Sequence, residues 1–303
     1  MPLYAGGMRG SSFSIATALG VLFSASAHAQ FNPDIVKLAD ETRELIDLGR
    51  VHMPDGQWSL SRSDDGCAVR RTFRLDNDEV VLSINRLQPG LPVQYALFGT
   101  RLNVRDTVQG GFTPGSGLAH FTRLASATLG ERRGITFAGQ PFPTGSEERA
   151  DERALAPEVR YFVVQGSEDP IVLRTGPVHR ALNALADCAA EQLASYGVPL
   201  DRLGERSRPV ELLNNEEFEA HLRASFPARV QGPVEIRAIV DGEGRVTHCH
   251  VATHISAQSL RETACSVTQK HARFEPALDG AGQPMTDFYI SRIIFWSQGL
   301  PGT

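Results

Sequence analysis

Lysine is almost absent from this chain of 303 residues and occurs only at Lys37 and Lys270. Arginine is common, but the arginines are scattered rather than clustered, and the formal net charge is -5. Proteins that bind nucleic acid carry a basic patch or stripe that follows the phosphate backbone. The composition therefore argues against nucleic acid as a partner.

The chain also lacks the short motifs of common enzyme classes. It has no G-x-S-x-G nucleophile elbow, no H-E-x-x-H zinc motif, no Walker loop and no G-x-G-x-x-G after a predicted strand. We therefore predict that the protein is not an enzyme and has no catalytic residues, no cofactor and no metal. The alternative is an enzyme that acts through dispersed carboxylates.

No apolar run reaches the roughly 20 residues that a membrane-spanning helix needs. The nearest candidate is Phe13–Phe23, which follows Arg9 and precedes the small residues Ala27 and Ala29. This arrangement is typical of a secretory signal with an A-x-A cleavage site. We expect a signal peptide over residues 1–29, export to an oxidising compartment and no membrane span after cleavage. An uncleaved, anchoring signal is the alternative.

Cysteine is scarce but even in number, with four residues at Cys67, Cys188, Cys249 and Cys265. In an exported protein such a set normally forms disulfide bonds. Four cysteines allow three pairings, so the connectivity needs a further argument.

Three histidines lie near one of these cysteines in the stretch "VTHCHVATH", residues 246–254. Side chains alternate between the two faces of a strand, so His248, His250 and His254 share one face while Cys249 points to the other. Zinc ligands must converge on one tetrahedral point, which this arrangement cannot supply alone. We interpret the stretch as a strand and not as a metal site.

Hydrophobic patterning predicts an α+β protein of two domains. The first, residues 30–205, is a mainly antiparallel β domain with flanking helices. Short β-like runs separated by turn residues extend from Trp58 to about Phe137. An amphipathic helix precedes them and ends at Gly49, and another follows them and ends at Gly197.

The segment between Gly197 and Leu213 is polar and contains prolines, and we place the predicted domain boundary there. The second domain, residues 209–298, has the predicted order α-β-β-α-β. A helix closed by Pro227 leads into a two-stranded hairpin, a second helix ends at His271, and "DFYISRIIFW" forms the last strand.

Four signatures of the second domain carry a family resemblance. They are the aromatic-proline pair Phe226-Pro227, VD-x-x-G-x-V at residues 240–246, "RFEPA" at 273–277 and Gly-x-Pro at 282–284. Together and in this order they resemble the C-terminal domain of the TonB family of periplasmic energy transducers. The resemblance does not reach residues 31–208.

The resemblance implies a periplasmic protein that binds by β-augmentation. TonB C-terminal domains present a strand edge to which a segment of an outer-membrane receptor adds, so that main-chain hydrogen bonds supply affinity. The corresponding edge here is the last strand, and the expected partner is an outer-membrane receptor or another envelope protein. A homodimer through the same strand is a second expectation. The residues predicted to bind the partner are Tyr289, Ile290, Ser291, Arg292, Ile293, Phe226 and Pro227.

In a domain of this type, Cys249 on the second hairpin strand faces the helix that carries Cys265. We therefore predict a disulfide between them. Cys67 and Cys188 then pair by elimination, whereas either alternative pairing would tie the two predicted domains together.

Two other functions are alternatives to partner binding. One is an exported enzyme with its active site in residues 30–205, and the other is a transducer anchored in the inner membrane by an uncleaved signal. A charged pocket with converging acids in the first domain would favour the enzyme. An unpaired and accessible last strand would favour the binding protein.

Overall fold

The structure, a computed structural model, describes most of the chain after residue 36. The described residues are 37–63, 66–86, 93–100, 102, 107–114, 118–129, 132–139, 156–166, 169–227, 232–251 and 258–295. The predicted signal peptide, residues 1–29, lies outside them. Among these residues, no helix has both the length and the apolar character needed to cross a membrane.

Antiparallel strands dominate the first part of the chain. The strands are β1 (Met53–Ser63), β2 (Gly66–Leu75), β3 (Asp78–Arg86), β4 (Val93–Gly99), β5 (Thr107–Thr113), β6 (Ala119–Leu129), β7 (Arg132–Gly139), β8 (Tyr161–Gln165) and β9 (Ile171–Leu173). In the part of the chain that is described they form a nine-stranded sheet in the order β1-β2-β3-β4-β7-β6-β5-β8-β9. Every neighbouring pair is antiparallel, as predicted.

The two ends of this sheet meet. His52, directly before β1, forms a parallel bridge with Leu173 of β9. The His52 N–H donates to the carbonyl oxygen of Val172 at 2.8 Å, and its own carbonyl accepts from the N–H of Arg174 at 2.9 Å. The sheet therefore curls until its first and last strands touch, which pairs main-chain groups that an open edge would expose.

Two helices accompany the sheet, α1 (Asp40–Asp47) and α2 (His179–Ser195). The glycines predicted to end them do so, with positive φ angles of 69° at Gly49 and 82° at Gly197. The apolar pattern before α1 begins earlier than the helix itself. The helix starts only at Asp40, where two acidic residues occupy its first turn and favour a helix N-terminus.

An aromatic core fills the space between the sheet and α2. Tyr95 stacks on Phe121 with ring centroids 5.2 Å apart, and Leu185 of α2 is buried in the same cluster. A disulfide between Cys67 of β2 and Cys188 of α2 fixes the helix to the sheet.

The last part of the chain has the predicted order α-β-β-α-β, with short strands added. Its elements are β10 (Glu211–Leu212), α3 (Asn215–Ser225), β11 (Gly232–Val240), β12 (Val246–Val251), α4 (Gln258–His271), β13 (Phe274–Glu275), β14 (Ala277–Leu278), β15 (Pro284–Met285) and β16 (Asp287–Phe295). The main strands form an antiparallel sheet in the order β12-β11-β16. The protein is therefore an α+β protein, as predicted.

Both helices of this part cover the same face of its sheet. Phe218 of α3 and Val267 of α4 are buried together with Val234 and Ile236 of β11. Helix α3 ends at Ser225, and its C-cap residue Phe226 directly precedes the proline predicted to close it.

The hairpin between β11 and β12 depends on Gly244. Its φ is +80°, and a Cβ built there would lie 2.4 Å from the carbonyl oxygen of Phe274. Asp241 closes the same turn, because its Oδ1 accepts from the N–H groups of Glu243 and Arg245, each at 2.9 Å. The glycine of the VD-x-x-G-x-V signature is therefore required by the fold.

All described residues belong to one compact unit. We call residues 37–205 the N-terminal region and residues 209–295 the C-terminal region. In the segment that joins the two regions, the Ser207 N–H donates to the carbonyl oxygen of Leu278 at 2.9 Å. The domain boundary expected between the two regions stays a prediction.

Replacing Gly244 with alanine should destabilise the protein more than the same change at Gly282. Both glycines have positive φ, at +80° and +75°, but a Cβ at Gly282 has no heavy atom within 4 Å. A left-handed conformation costs a non-glycine residue about 1–2 kcal/mol. We expect that loss for Gly282→Ala and a larger loss for Gly244→Ala, measured by urea denaturation. Equal losses would show that the contact with Phe274 does not constrain the turn.

Candidate functional site

Strand β16 lies at an edge of its sheet. It pairs with β11 along its whole length, from Asp287 opposite Val240 to Phe295 opposite Gly232. Among the residues that the structure describes, no strand pairs with its other side. Such an edge presents a row of main-chain donors and acceptors that an added strand can bind.

Alternate residues of β16 point their main-chain groups toward this outer side. The Phe288 N–H donates to the Oδ1 atom of Asp287 at 2.8 Å, as expected of a group that does not face β11. Pro233 stands opposite Ile294 and has no N–H to donate across the ladder. Both observations indicate the same alternation. The residues whose main-chain N–H and C=O groups face outward are Phe288, Ile290, Arg292 and Ile294.

The other predicted binding residues on β16 turn their side chains toward the helices. Ser291 is 7% exposed and Ile293 is 1% exposed. Tyr289 is half-buried and packs against Phe274, with ring centroids 5.1 Å apart. These side chains stabilise the C-terminal core. What β16 leaves without a described partner strand is the outward main chain of Ile290 and of the residues that alternate with it.

The aromatic-proline pair lies near the far end of β16. Phe226 is 7% exposed, and its ring centroid lies 4.9 Å from that of Phe295. The guanidinium of Arg223 lies 5.3 Å from the same Phe295 ring. Pro227 is exposed. Phe226 therefore holds the end of the strand, and Pro227 lies at the surface beside it.

The start of β16 is closed by contacts from the segment before the C-terminal region. Arg206 pairs with the fully buried carboxylate of Asp287 at 2.8 Å. The guanidinium of Arg206 also lies 6.0 Å from the ring centroid of Phe288. The open stretch of the edge is therefore residues 290–294.

The sheet face opposite α3 and α4 packs on the N-terminal region. Arg237 of β11 is 2% exposed, its Nη1 donates to Gln192 Oε1 at 3.4 Å, and its guanidinium lies 5.7 Å from the Tyr196 ring. Glu235 of the same strand was likewise not among the predicted site residues. Their alternate positions in the apolar strand "PVEIRAIV" were the signal that this face carries buried polar contacts.

Glu235 places a carboxylate in this buried contact. It accepts a hydrogen bond from Gln94 of β4 and pairs with Arg292 of β16. Loss of water contacts on burial raises the pKa of Glu235, although Arg292 and Gln94 act in the opposite direction. The group therefore links the N-terminal region, the central strand and the edge strand β16.

The histidines of β12 also meet the N-terminal region. The rings of His248 and His250 lie 4.8 Å and 4.7 Å from the ring of Tyr196. They share a face, as predicted, and their rings pack on this tyrosine, while His248 is exposed at the surface. His254 lies outside the described residues. Within the described ranges, no group of three or more histidines, cysteines or acids could hold a metal ion.

Both predicted disulfides are present. Cys249 points away from the histidines of β12 and is bonded to Cys265 of α4, and Cys67 is bonded to Cys188. One bridge lies within each region, and no described cysteine is free.

The C-terminal region matches a known family. Residues 226–295 match the family described as Gram-negative bacterial TonB protein C-terminal. This segment is a TonB C-terminal domain. The match runs from the aromatic-proline pair to the end of β16 and contains all of the signatures that carried the resemblance. The rest of the chain matches no family, and comparisons with curated proteins and with solved structures gave no match.

Glu235→Gln should change how stability depends on pH. The pKa of Glu235 is raised in the folded protein, so the protonated side chain favours folding. This contribution to stability is fully present below the ordinary glutamate pKa of about 4.3. It is lost as the pH rises through the raised pKa. The stability of the parent relative to the variant should therefore be highest at low pH and fall toward neutral pH. Urea denaturation across pH measures this difference.

Glu243→Gln is the matched control, since that side chain is 70% exposed. Its difference from the parent should vary little over the same pH range. If the stability of the parent relative to Glu235→Gln stays constant or rises with pH, the result would contradict the raised pKa.

Proposed function

We propose that this protein is an exported, periplasmic TonB-like protein whose strand β16 binds an extended segment of an outer-membrane receptor or another envelope protein. Binding would occur by β-augmentation, in the context of transport across the outer membrane. The observation that carries the proposal is the outward-facing main chain of residues 290–294, with which no described strand pairs. The disulfides in both regions fit an oxidising compartment.

The two covered faces of the C-terminal sheet favour an edge over a face as the binding surface. Helices α3 and α4 occupy one face, and Gln192 and Tyr196 lie against the other. A partner that adds as a strand needs neither face, because its bonds run within the plane of the sheet. An added segment beside residues 290–294 would be about 17 Å long at roughly 3.3 Å per residue.

Strand β12 is the other edge of the same sheet, but it is a poorer site. It is shorter, Val246–Val251 against Asp287–Phe295. Its Cys249 is fixed to Cys265, and its histidines pack on Tyr196. Strand β16 also lies at the position that the family resemblance implies for the partner.

Among the described residues, the cavity of the N-terminal region gives no support to the enzyme alternative. A cavity beside α2 is lined, among the described residues, by Arg71, Arg174 and Arg180 and by no carboxylate. Converging acids, which would favour an enzyme, do not line it. The binding protein is therefore the better supported function.

Ile290→Pro should weaken partner binding without breaking the ladder between β16 and β11. Ile290 points its N–H outward, so proline removes a donor that only an added strand would use. One such hydrogen bond is worth about 1 kcal/mol, or roughly a fivefold increase in Kd. Fluorescence anisotropy with labelled peptides that copy periplasm-facing segments of outer-membrane receptors measures the effect on the full chain.

Ile290→Ala is the matched control, because it trims the same side chain and keeps the N–H. It should bind within about twofold of the parent if the main chain supplies most of the affinity. Circular dichroism and urea denaturation verify that both variants fold. Equal binding by folded Ile290→Pro and parent would refute the edge as the site. Sedimentation of the parent and Ile290→Pro distinguishes a homodimer through the same edge.

A further inference from the structure

A cavity in the N-terminal region lies between strands β1 and β2 and the start of helix α2. Its volume is about 580 Å³, within the range of roughly 300–1,000 Å³ typical of small-molecule sites. It is far from the last strand in sequence, and the proposed edge binding makes no use of it.

The walls of this cavity are largely apolar. Trp58 and Leu60 of β1 and Val69 of β2 form one side, and Ala181 and Ala184 of α2 form the other. Leu60 is 49% exposed, although a side chain of this size usually gains from burial. The two small alanines leave the space that larger residues would fill.

Uncovered hydrophobic surface continues to the cavity's edge. Met53, the first residue of β1, also lines the cavity and is 44% exposed. Exposed apolar groups gathered at one concave place are typical of a ligand site, whereas single ones scattered over a surface need no explanation.

Positive charge stands beside this apolar surface. Arg174 and Arg180 line the cavity and are exposed, and among the described residues neither forms an ion pair with a carboxylate. Arg71 is committed to the protein itself, because it donates to the carbonyl oxygens of Gly56 at 2.9 Å and Thr175 at 3.1 Å. Two arginine side chains are therefore available to an anion.

The start of helix α2 adds to the positive charge at this cavity. Helix α2 starts here with no side-chain cap and no acidic residue in its first turn, so its N-terminal N–H groups add positive potential. A negatively charged oxygen would complement the positive charge of the arginines and of the helix N-terminus at this cavity.

We propose that the cavity binds an amphipathic anion, a molecule with an apolar body and one carboxylate or phosphate group. The apolar body lies along Trp58, Leu60 and Ala184, and the anionic group binds Arg174 and Arg180 at the N-terminus of α2. The cavity volume, and the absence of a carboxylate among the described residues that line it, favour such a ligand over a cation or a small inorganic anion. The inference is independent of the proposed edge binding.

Isothermal titration calorimetry of the full chain with four probes tests both parts of this proposal. Octanoate and octyl phosphate carry the apolar body and an anionic group, octanol carries the body alone, and acetate carries the charge alone. We expect octanoate or octyl phosphate to bind at least tenfold more tightly than octanol and acetate, and the tighter of the two identifies the head group. Similar affinity for acetate and octanoate, or no binding of either amphipathic anion, would overturn the proposal.

Two variants assign the binding to this cavity. Arg174→Gln combined with Arg180→Gln should weaken binding of the amphipathic anion by about tenfold or more, since hydrogen bonds to charged groups are the strong ones. Ala184→Leu should abolish binding by filling the cavity. The control, Arg223→Gln combined with Lys270→Gln, removes the same charge from the C-terminal region and should bind like the parent. Unchanged binding by both folded cavity variants would contradict the site.

Discussion

Burial of the central strand β11 on both faces is the constraint on which the rest of the C-terminal region depends. Val234 and Ile236 turn toward the helices, while Glu235, Arg237 and Ile239 turn toward the N-terminal region, and none of these residues is more than 2% exposed. A sheet covered on both faces has only its edges to offer a partner. The family match locates the domain in the chain. The packing of β11 leaves the outer edge of β16 as the candidate surface for a partner.

The polar residues in this buried contact are costly unless each finds a partner. Glu235 finds Gln94 and Arg292, and Arg237 finds Gln192. Apolar contacts alone, which also occur in this interface, tolerate small shifts between packed surfaces. We infer that the polar pairs fix how the N-terminal region lies on the sheet, and through Arg292 they also hold the edge strand β16 in place.

Local patterns were enough to predict most elements, whereas contacts between distant segments were not predictable. Helical periodicity and the family signatures, which include the VD-x-x-G-x-V hairpin, correctly predicted the order α-β-β-α-β and both disulfides. The start of β1 was missed because "MPDGQWSLSRS" is polar and contains proline and glycine, and its register with β2 shifts between Asp55 and Ser59. The contact of Glu235 with Gln94 joins residues that are 141 positions apart, and no local pattern predicts such a pair. The cavity beside α2 likewise combines residues from separate elements.

Residue-resolved amide hydrogen exchange of the full chain is the most direct test that β16 offers a free edge. We predict an alternating pattern, in which the amides of Ile290 and Arg292 exchange rapidly while those of Ser291 and Ile293, bonded to β11, exchange at least about 100-fold more slowly. Equally slow exchange at all four positions would contradict this, because it would mean that another part of the chain already pairs with the edge.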